Sequence, residues 1–183
     1  MRTLGLTTLL TLAICGCAAD GTKPAVQGAD EGAGGPRIGI YDSRSVAIAY
    51  AGSNVFGELN KKLHADYEAA KKSGDSVLKA ELERQGKEGQ KKLHMQGFST
   101  APVDDILKHI EARLPDIQKA ANVEVLVSKW DDATLAKYPN AVRVDVTMAL
   151  VDAFEPNANQ RASAVDIQKH KPISLKEAAL IDD

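Results

Sequence analysis

Cys15 and Cys17 are the two most reactive side chains in the sequence, and no third cysteine follows them. A redox pair or a zinc clip needs C-x-x-C spacing or partner ligands, and Cys15-Gly16-Cys17 offers neither. The four histidines, His64, His94, His109 and His170, are scattered, and no H-E-x-x-H or H-x-x-E-H pattern occurs. No metal and no cofactor are therefore expected. Asp131 and Asp132 stand together beside Trp130, but acid–base work needs two carboxyls held apart across a cleft. The adjacent pair reads as the cap of a short helix. Asp42, at the end of an apolar run, reads as a turn or cap residue. Ser43 and Ser45 have no histidine near them in sequence and no G-x-S-x-G around them, and the glycines at 32, 34 and 35 precede a strand, whereas a phosphate loop follows one. Catalysis is not expected. Nucleic-acid binding is not expected either: the net charge is −2, and the lysine pairs at 61–62, 71–72 and 91–92 alternate with acids and do not share one helix face.

The cysteines acquire a meaning from their surroundings. Arg2, an apolar run from Leu4 to Ile14 and then small residues have the layout of a secretory signal, too short to span a bilayer comfortably. The boundary Ile14-Cys15-Gly16-Cys17 resembles the lipobox of bacterial lipoproteins. That resemblance makes residues 1–17 a lipoprotein signal peptide and Cys17 the lipidated residue, with Cys15 removed. Residues 18–36, AADGTKPAVQGADEGAGGP, show no apolar period and read as a flexible tether. Its r.m.s. reach is about 25 Å, so the folded part is expected just off a membrane surface. The expected location is the cell envelope, lipid-anchored and facing the periplasm. Ala18 after the lipidated cysteine favours the outer membrane over the inner, by resemblance to proteobacterial sorting.

Aromatic residues are only 4% of the chain, so the core must be aliphatic. Residues 37–42 read as a strand and 46–50 as a helical turn or a continuation of that strand. From Asn54 the period changes: Phe56, Leu59, Leu63 and Tyr67 make one apolar stripe on an amphipathic helix. Ser73-Gly74-Asp75 reads as a C-cap followed by a new N-cap. Residues 75–96 are rich in Lys, Glu and Gln; Val77, Leu78, Leu82 and Leu93 are sparse, and Gly86 and Gly89 each weaken the helix by about 1 kcal/mol relative to Ala. Such a helix must lean on another helix or another chain. Residues 97–102 break the pattern, and 103–121 resume a helical period in which Pro115 predicts a kink or a restart near 113–114. Asn122 closes that helix, 123–127 read as a buried strand, 130–139 as a short helix or loop, 140–145 as a small strand, and Asp145 as the cap of a helix over 146–154. Residues 155–183 read as a polar, weakly ordered tail. The fold class is α+β: a small β-sheet body with a projecting long helical hairpin and a short C-terminal helix.

The opening IGIYDSRSVAIAYAGS, the charged hairpin at about 54–121 and the closing ILKHIEARLPDIQKAANVEVLVSKWDDATLAKYPNAVRVDVTMALVDAF resemble the Skp/OmpH-like periplasmic chaperones over residues 37–154. In that family an Ala-rich helix end runs into a V-x-L-V-type strand, and a loop leads to a D-[IV]-T helix start. Here these are Ala120-Ala121, residues 123–127, and Asp145-Val146-Thr147. The resemblance implies a homotrimer whose hairpins surround a cavity for unfolded or outer-membrane proteins, acting as a holdase without catalysis. Phe56, Leu59, Leu63, Tyr67, Val77, Leu82, Leu93 and Phe98 would then face clients or pack helix on helix. The alternative is an envelope lipoprotein that serves as a structural or protein-binding module without chaperone activity. Metabolic labelling with a radioactive fatty acid tests the anchor: the intact chain takes up label, Cys17→Ala does not, and label retained in that variant contradicts the assignment.

Overall fold

A computed structural model of the chain describes residues 35–181; Cys17, the signal segment and nearly all of the tether lie outside the described residues. Strand β1 (Arg37–Tyr41) runs at once into helix α1 (Ser43–Ala51). Two long helices follow, α2 (Asn54–Ser73) and α3 (Ser76–Phe98). Then come α4 (Asp104–Leu107), a 3-10 stretch (Lys108–Arg113), α5 (Leu114–Ala121), β2 (Val125–Ser128), α6 (Asp132–Leu135), β3 (Val142–Asp145), α7 (Thr147–Asp152), α8 (Ala158–Asp166) and α9 (Leu175–Ala178).

The three strands form one parallel sheet with β1 in the centre, in the order β2-β1-β3. Ile38 is level with Val125 and Ile40 with Val127 on one side, and Gly39 is level with Val144 on the other. Parallel neighbours cannot be joined by a tight turn, so each connection is a crossover. The crossover from β1 to β2 contains everything from α1 to α5, which makes the long hairpin an excursion grown out of it. Side chains alternate along the strands. Ile38, Ile40, Val125 and Val127 meet Leu135 and Tyr138 under α6, while Tyr41, Leu126 and Val144 join α1, α5 and α7 in the larger core with Val46, Ile106, Leu150 and Val151. Gly39 lies on that second face, where a Cβ would come within 2.8 Å of Leu126 and 3.1 Å of Val146; the glycine lets the helices close on the central strand.

Local signals explain most boundaries. Asp42 caps α1 by accepting the Arg44 N–H, which resolves residues 46–50 as helix rather than strand. Ser53 caps α2, Gly74 ends it in the left-handed region at φ 75°, and Asp75 caps α3 through the Leu78 N–H. Asn122, at φ 52°, ends α5, and the Val123 N–H turns back to the Gln118 carbonyl. This delays the strand expected from 123 until Val125.

Two expectations are corrected. The hairpin consists of α2 and α3 alone and does not extend to 121, because the chain leaves helical geometry after Phe98. Residues 103–121 do restart at 113–114, as Pro115 predicts: α5 begins at Leu114 and Pro115 falls in its first turn, where a missing N–H costs nothing, while a further break lies at Ile110, whose φ of −121° is outside the helical range. Residues 155–181 are not a loose tail: α8 and α9 bury Ala164 and Ala178 completely. The tail is fastened through main-chain oxygens, with the Ser45 hydroxyl donating to Ala164 O at 2.7 Å and the Ser99 hydroxyl to Ile173 O at 2.6 Å.

Candidate functional site

The hairpin carries the expected site residues. By helix geometry its arms are about 30 Å and 35 Å long. Its base is held by aromatic packing. Phe56, in the first turn of α2, meets Tyr50 edge-on at 5.2 Å; Tyr50 stacks on His109 at 5.1 Å and meets Phe154 at 5.9 Å. At the other arm, Leu93 packs against the main core. Farther out the arms rest on each other. The Tyr67 hydroxyl donates to Glu83 at 3.1 Å, and the Lys79 ammonium lies 5.5 Å from the Tyr67 ring centre. Leu63 packs beside Gly86, and Ala70 and Leu82 are buried. The outer faces are laced by ion pairs three and four residues apart, such as Lys62–Asp66 and Arg84–Glu88. Bonds from Arg84 and then Gln85 draw the Glu81 carboxyl down to about 2.

The predicted residues therefore divide into three sets. Phe56, Leu63 and Leu93 line a groove of about 590 Å³ between the arms near their base, floored by Gly86 and Gly89. Tyr67 and Leu82 hold the arms together. Leu59, Val77 and Phe98 are exposed, Val77 by 80%. Two further exposed residues belong with them: Val55, four residues before Leu59 on the same helix face, and Leu78, next to Val77 in the first turn of α3. From residue 54 to residue 93, only Ala70 and Leu82 are buried.

Sequence reading missed a second cluster, at the C-terminal end of β1. The Asp42 carboxylate and the Arg44 guanidinium are each 1% exposed and paired at 2.8 Å. Asp42 Oδ1 also accepts from Arg44 Nε at 3.1 Å and from Trp130 Nε1 at 3.3 Å, and Oδ2 pairs with Lys129 at 2.7 Å. Arg44 uses its remaining nitrogen to donate to His170 O at 2.8 Å, and the Asp42 N–H donates to the Thr147 hydroxyl at 3.0 Å. Arg44 and Lys129 both lie over the Trp130 ring, at 5.1 Å and 4.6 Å. Burial pushes the Asp42 carboxyl up, but the bonds from Arg44 and Lys129 outweigh it and hold the group below its ordinary value of 3.8. The only sequence trace of this cluster is the D-x-R spacing, because its other members lie far along the chain.

The remaining reactive side chains have structural partners. Asp131 caps α6 by accepting the Thr134 N–H at 3.0 Å, as its position predicts, and Asp145 accepts the Thr147 N–H at 2.8 Å at the start of α7. His109 stacks on Tyr50, and His170 lies 3.3 Å from Asp166. Among the described residues no group of three or more His, Cys, Asp or Glu could hold a metal ion, and no helix is long and apolar enough to cross a membrane. Compared with known protein families, curated proteins and solved structures, the chain matches none.

The buried pair makes a pH-dependent prediction. Removing one partner strands the other charge, so Arg44→Met lowers unfolding stability by about 3–5 kcal/mol at neutral pH. Because the folded Asp42 carboxyl sits below its unfolded value, the stability it contributes is complete above about pH 5 and is lost as pH falls through the folded pKa, below about pH 4. Denaturant titrations at several pH values check this: the gap between the two proteins narrows in acid, and a gap that widens there contradicts the assignment.

Proposed function

We propose that this chain is a lipid-anchored cell-envelope protein of the Skp/OmpH-like type, tethered through Cys17, whose hairpin holds unfolded or outer-membrane proteins without catalysis. The observation that carries the reading is the poverty of the hairpin's own core. Two long helices stand in water with only Ala70 and Leu82 buried between residues 54 and 93. Helices of this length draw most of their stability from packing an apolar face, and here much of that face is left to another surface. Val55, Leu59, Val77 and Leu78 are exposed on the arms, and the groove beside Gly86 and Gly89 offers apolar walls near the base.

The element order supports the same reading. A strand leads through a helical hairpin to α5, which ends in Ala120-Ala121, then to β2, and finally through Asp145-Val146 to α7, which starts at Thr147. These are the positions that carry the family resemblance. The outer charges of the hairpin are engaged in exposed pairs within each helix, so capture relies on apolar contact and tolerates salt. Three copies would bring three hairpins around one cavity and shield a client without strong specific contacts. The lipid would keep that cavity at the periplasmic face of the outer membrane.

A denatured outer-membrane β-barrel protein, diluted into buffer and followed by light scattering, tests the proposal. The intact chain suppresses aggregation at about three copies per client, in low and high salt alike. A variant carrying Leu59→Gln, Val77→Gln and Leu78→Gln loses suppression several-fold while its unfolding midpoint is unchanged, since exposed substitutions shift stability by about 0.5 kcal/mol or less. An intact chain that leaves aggregation unchanged contradicts holdase activity and points to the structural-module alternative.

A further inference from the structure

Beyond the hairpin, the sheet has a crevice of its own. The chain leaving β1 turns into α1 on the Tyr41 face of the sheet, whereas the chain leaving β2 turns into α6 on the Ile38 face. Where neighbouring parallel strands send their connections to opposite faces, a crevice opens beyond their carboxyl ends, and open α/β sheets bind ligands there. In this protein residues 100–104, arriving from the hairpin, wall the crevice into a cavity of about 440 Å³. Its lining includes Tyr41, Thr100, Asp104, Trp130, Asp131 and Thr134.

The lining is chemically one-sided. It contains two carboxylates and several hydroxyls, and no lysine, arginine or histidine among the described residues. The Asp104 side chain is exposed and has no hydrogen bond or ion pair among the described residues. Asp131 accepts the Thr134 N–H through Oδ1, and its carboxyl is held below the ordinary value, first by the Thr134 side chain. Tyr41 is 6% exposed, yet its hydroxyl has no hydrogen-bond partner among the described residues. Burial and then the charges of Asp104 and Asp131 push that hydroxyl up to about 12, so it stays protonated and faces the two carboxylates. The ring is held in the core while the hydroxyl stays open to the cavity that the residue lines, where a ligand atom can complete its bonding.

We propose that this cavity binds a small organic cation, an alkylammonium or guanidinium group, with Asp104 and Asp131 accepting its N–H donors and the Tyr41 hydroxyl beside them. An anion entering the cavity would meet two like charges and only neutral hydroxyl donors. A neutral alcohol would gain no charge pairing. The site uses none of the exposed hairpin residues, so it stands or falls independently of client holding.

Trp130 is the sole tryptophan of the chain and lines the cavity, so its fluorescence reports occupancy. The intact chain is titrated with n-butylguanidinium and n-butylammonium chloride at constant ionic strength, beside n-butanol, sodium acetate and calcium chloride. The expected result is a saturable change with either organic cation, with a midpoint of about 1 mM or lower, and none with the other three. Asp104→Asn and Asp131→Asn keep the neutral shape and the cap, and each weakens binding about tenfold with unchanged circular dichroism; Tyr41→Phe weakens it less. No saturable response to either cation in the folded chain overturns the proposal. So does an equal response to n-butanol or calcium, or an Asp104→Asn variant that titrates like the intact protein.

Discussion

The body depends on one buried carboxylate. Asp42 sits where the central strand ends, and its two oxygens collect Arg44 from α1 and Lys129 and Trp130 from the end of β2. Its own N–H reaches Thr147 at the start of α7, and Arg44 passes the constraint on to the tail at His170. Taking a carboxylate and a guanidinium out of water is costly, and the interior tolerates them only when nearly every lone pair and proton is matched. That demand gives the cluster its structural meaning. β1, α1, β2, α7 and the tail must all arrive at one point for the pair to be satisfied, so an arrangement missing one of them is penalised.

This anchoring allows a long excursion in the middle of a crossover. A hairpin inserted between α1 and α4 adds no strand and little core. It needs a firm root, supplied by the Phe56–Tyr50–His109–Phe154 aromatic packing and by the tail, where the Ile173 N–H and the Ser99 hydroxyl tie residues 98–99 to residue 173. Beyond the root, caps, exposed ion pairs and a narrow seam at Leu63, Tyr67, Ala70 and Leu82 sustain the arms. Stability is graded along the molecule, from a packed sheet to an arm with little buried apolar surface, and such grading is where local opening concentrates.

Much of this was legible in the sequence because it is local. The α2 stripe, the Gly74-Asp75 punctuation, the Asn122 stop and the Asp131 cap depend on residues within a few positions of one another, whereas Asp145 accepts the Thr147 N–H and the N-cap position of α7 falls on Val146. The run at 46–50 was ambiguous because five apolar or small residues do not separate a helical turn from a strand; the Asp42 cap decides it. The break at Ile110 was hidden because the apolar spacing continues across it. The tail looked disordered because its attachment uses the carbonyls of Ala164, His170 and Ile173, which every sequence has, and the burial of small alanines. The Asp42 cluster and the Tyr41–Asp104–Asp131 cavity were invisible for a further reason: their members are brought together by parallel pairing across the long crossover. Gly86 and Gly89 were read only as helix weakeners, whereas they also floor the groove between the arms.

The central claim is that a firmly held sheet carries an arm whose apolar surface is completed by something outside it. Hydrogen exchange followed by mass spectrometry, with and without an unfolded outer-membrane protein, tests it most directly. The account predicts that amides of β1 and α1 exchange slowest, that amides between residues 58 and 92 exchange faster through local opening, and that the client slows the second group and leaves the first unchanged. Uniform protection of hairpin and body, with no change when the client is added, would contradict it.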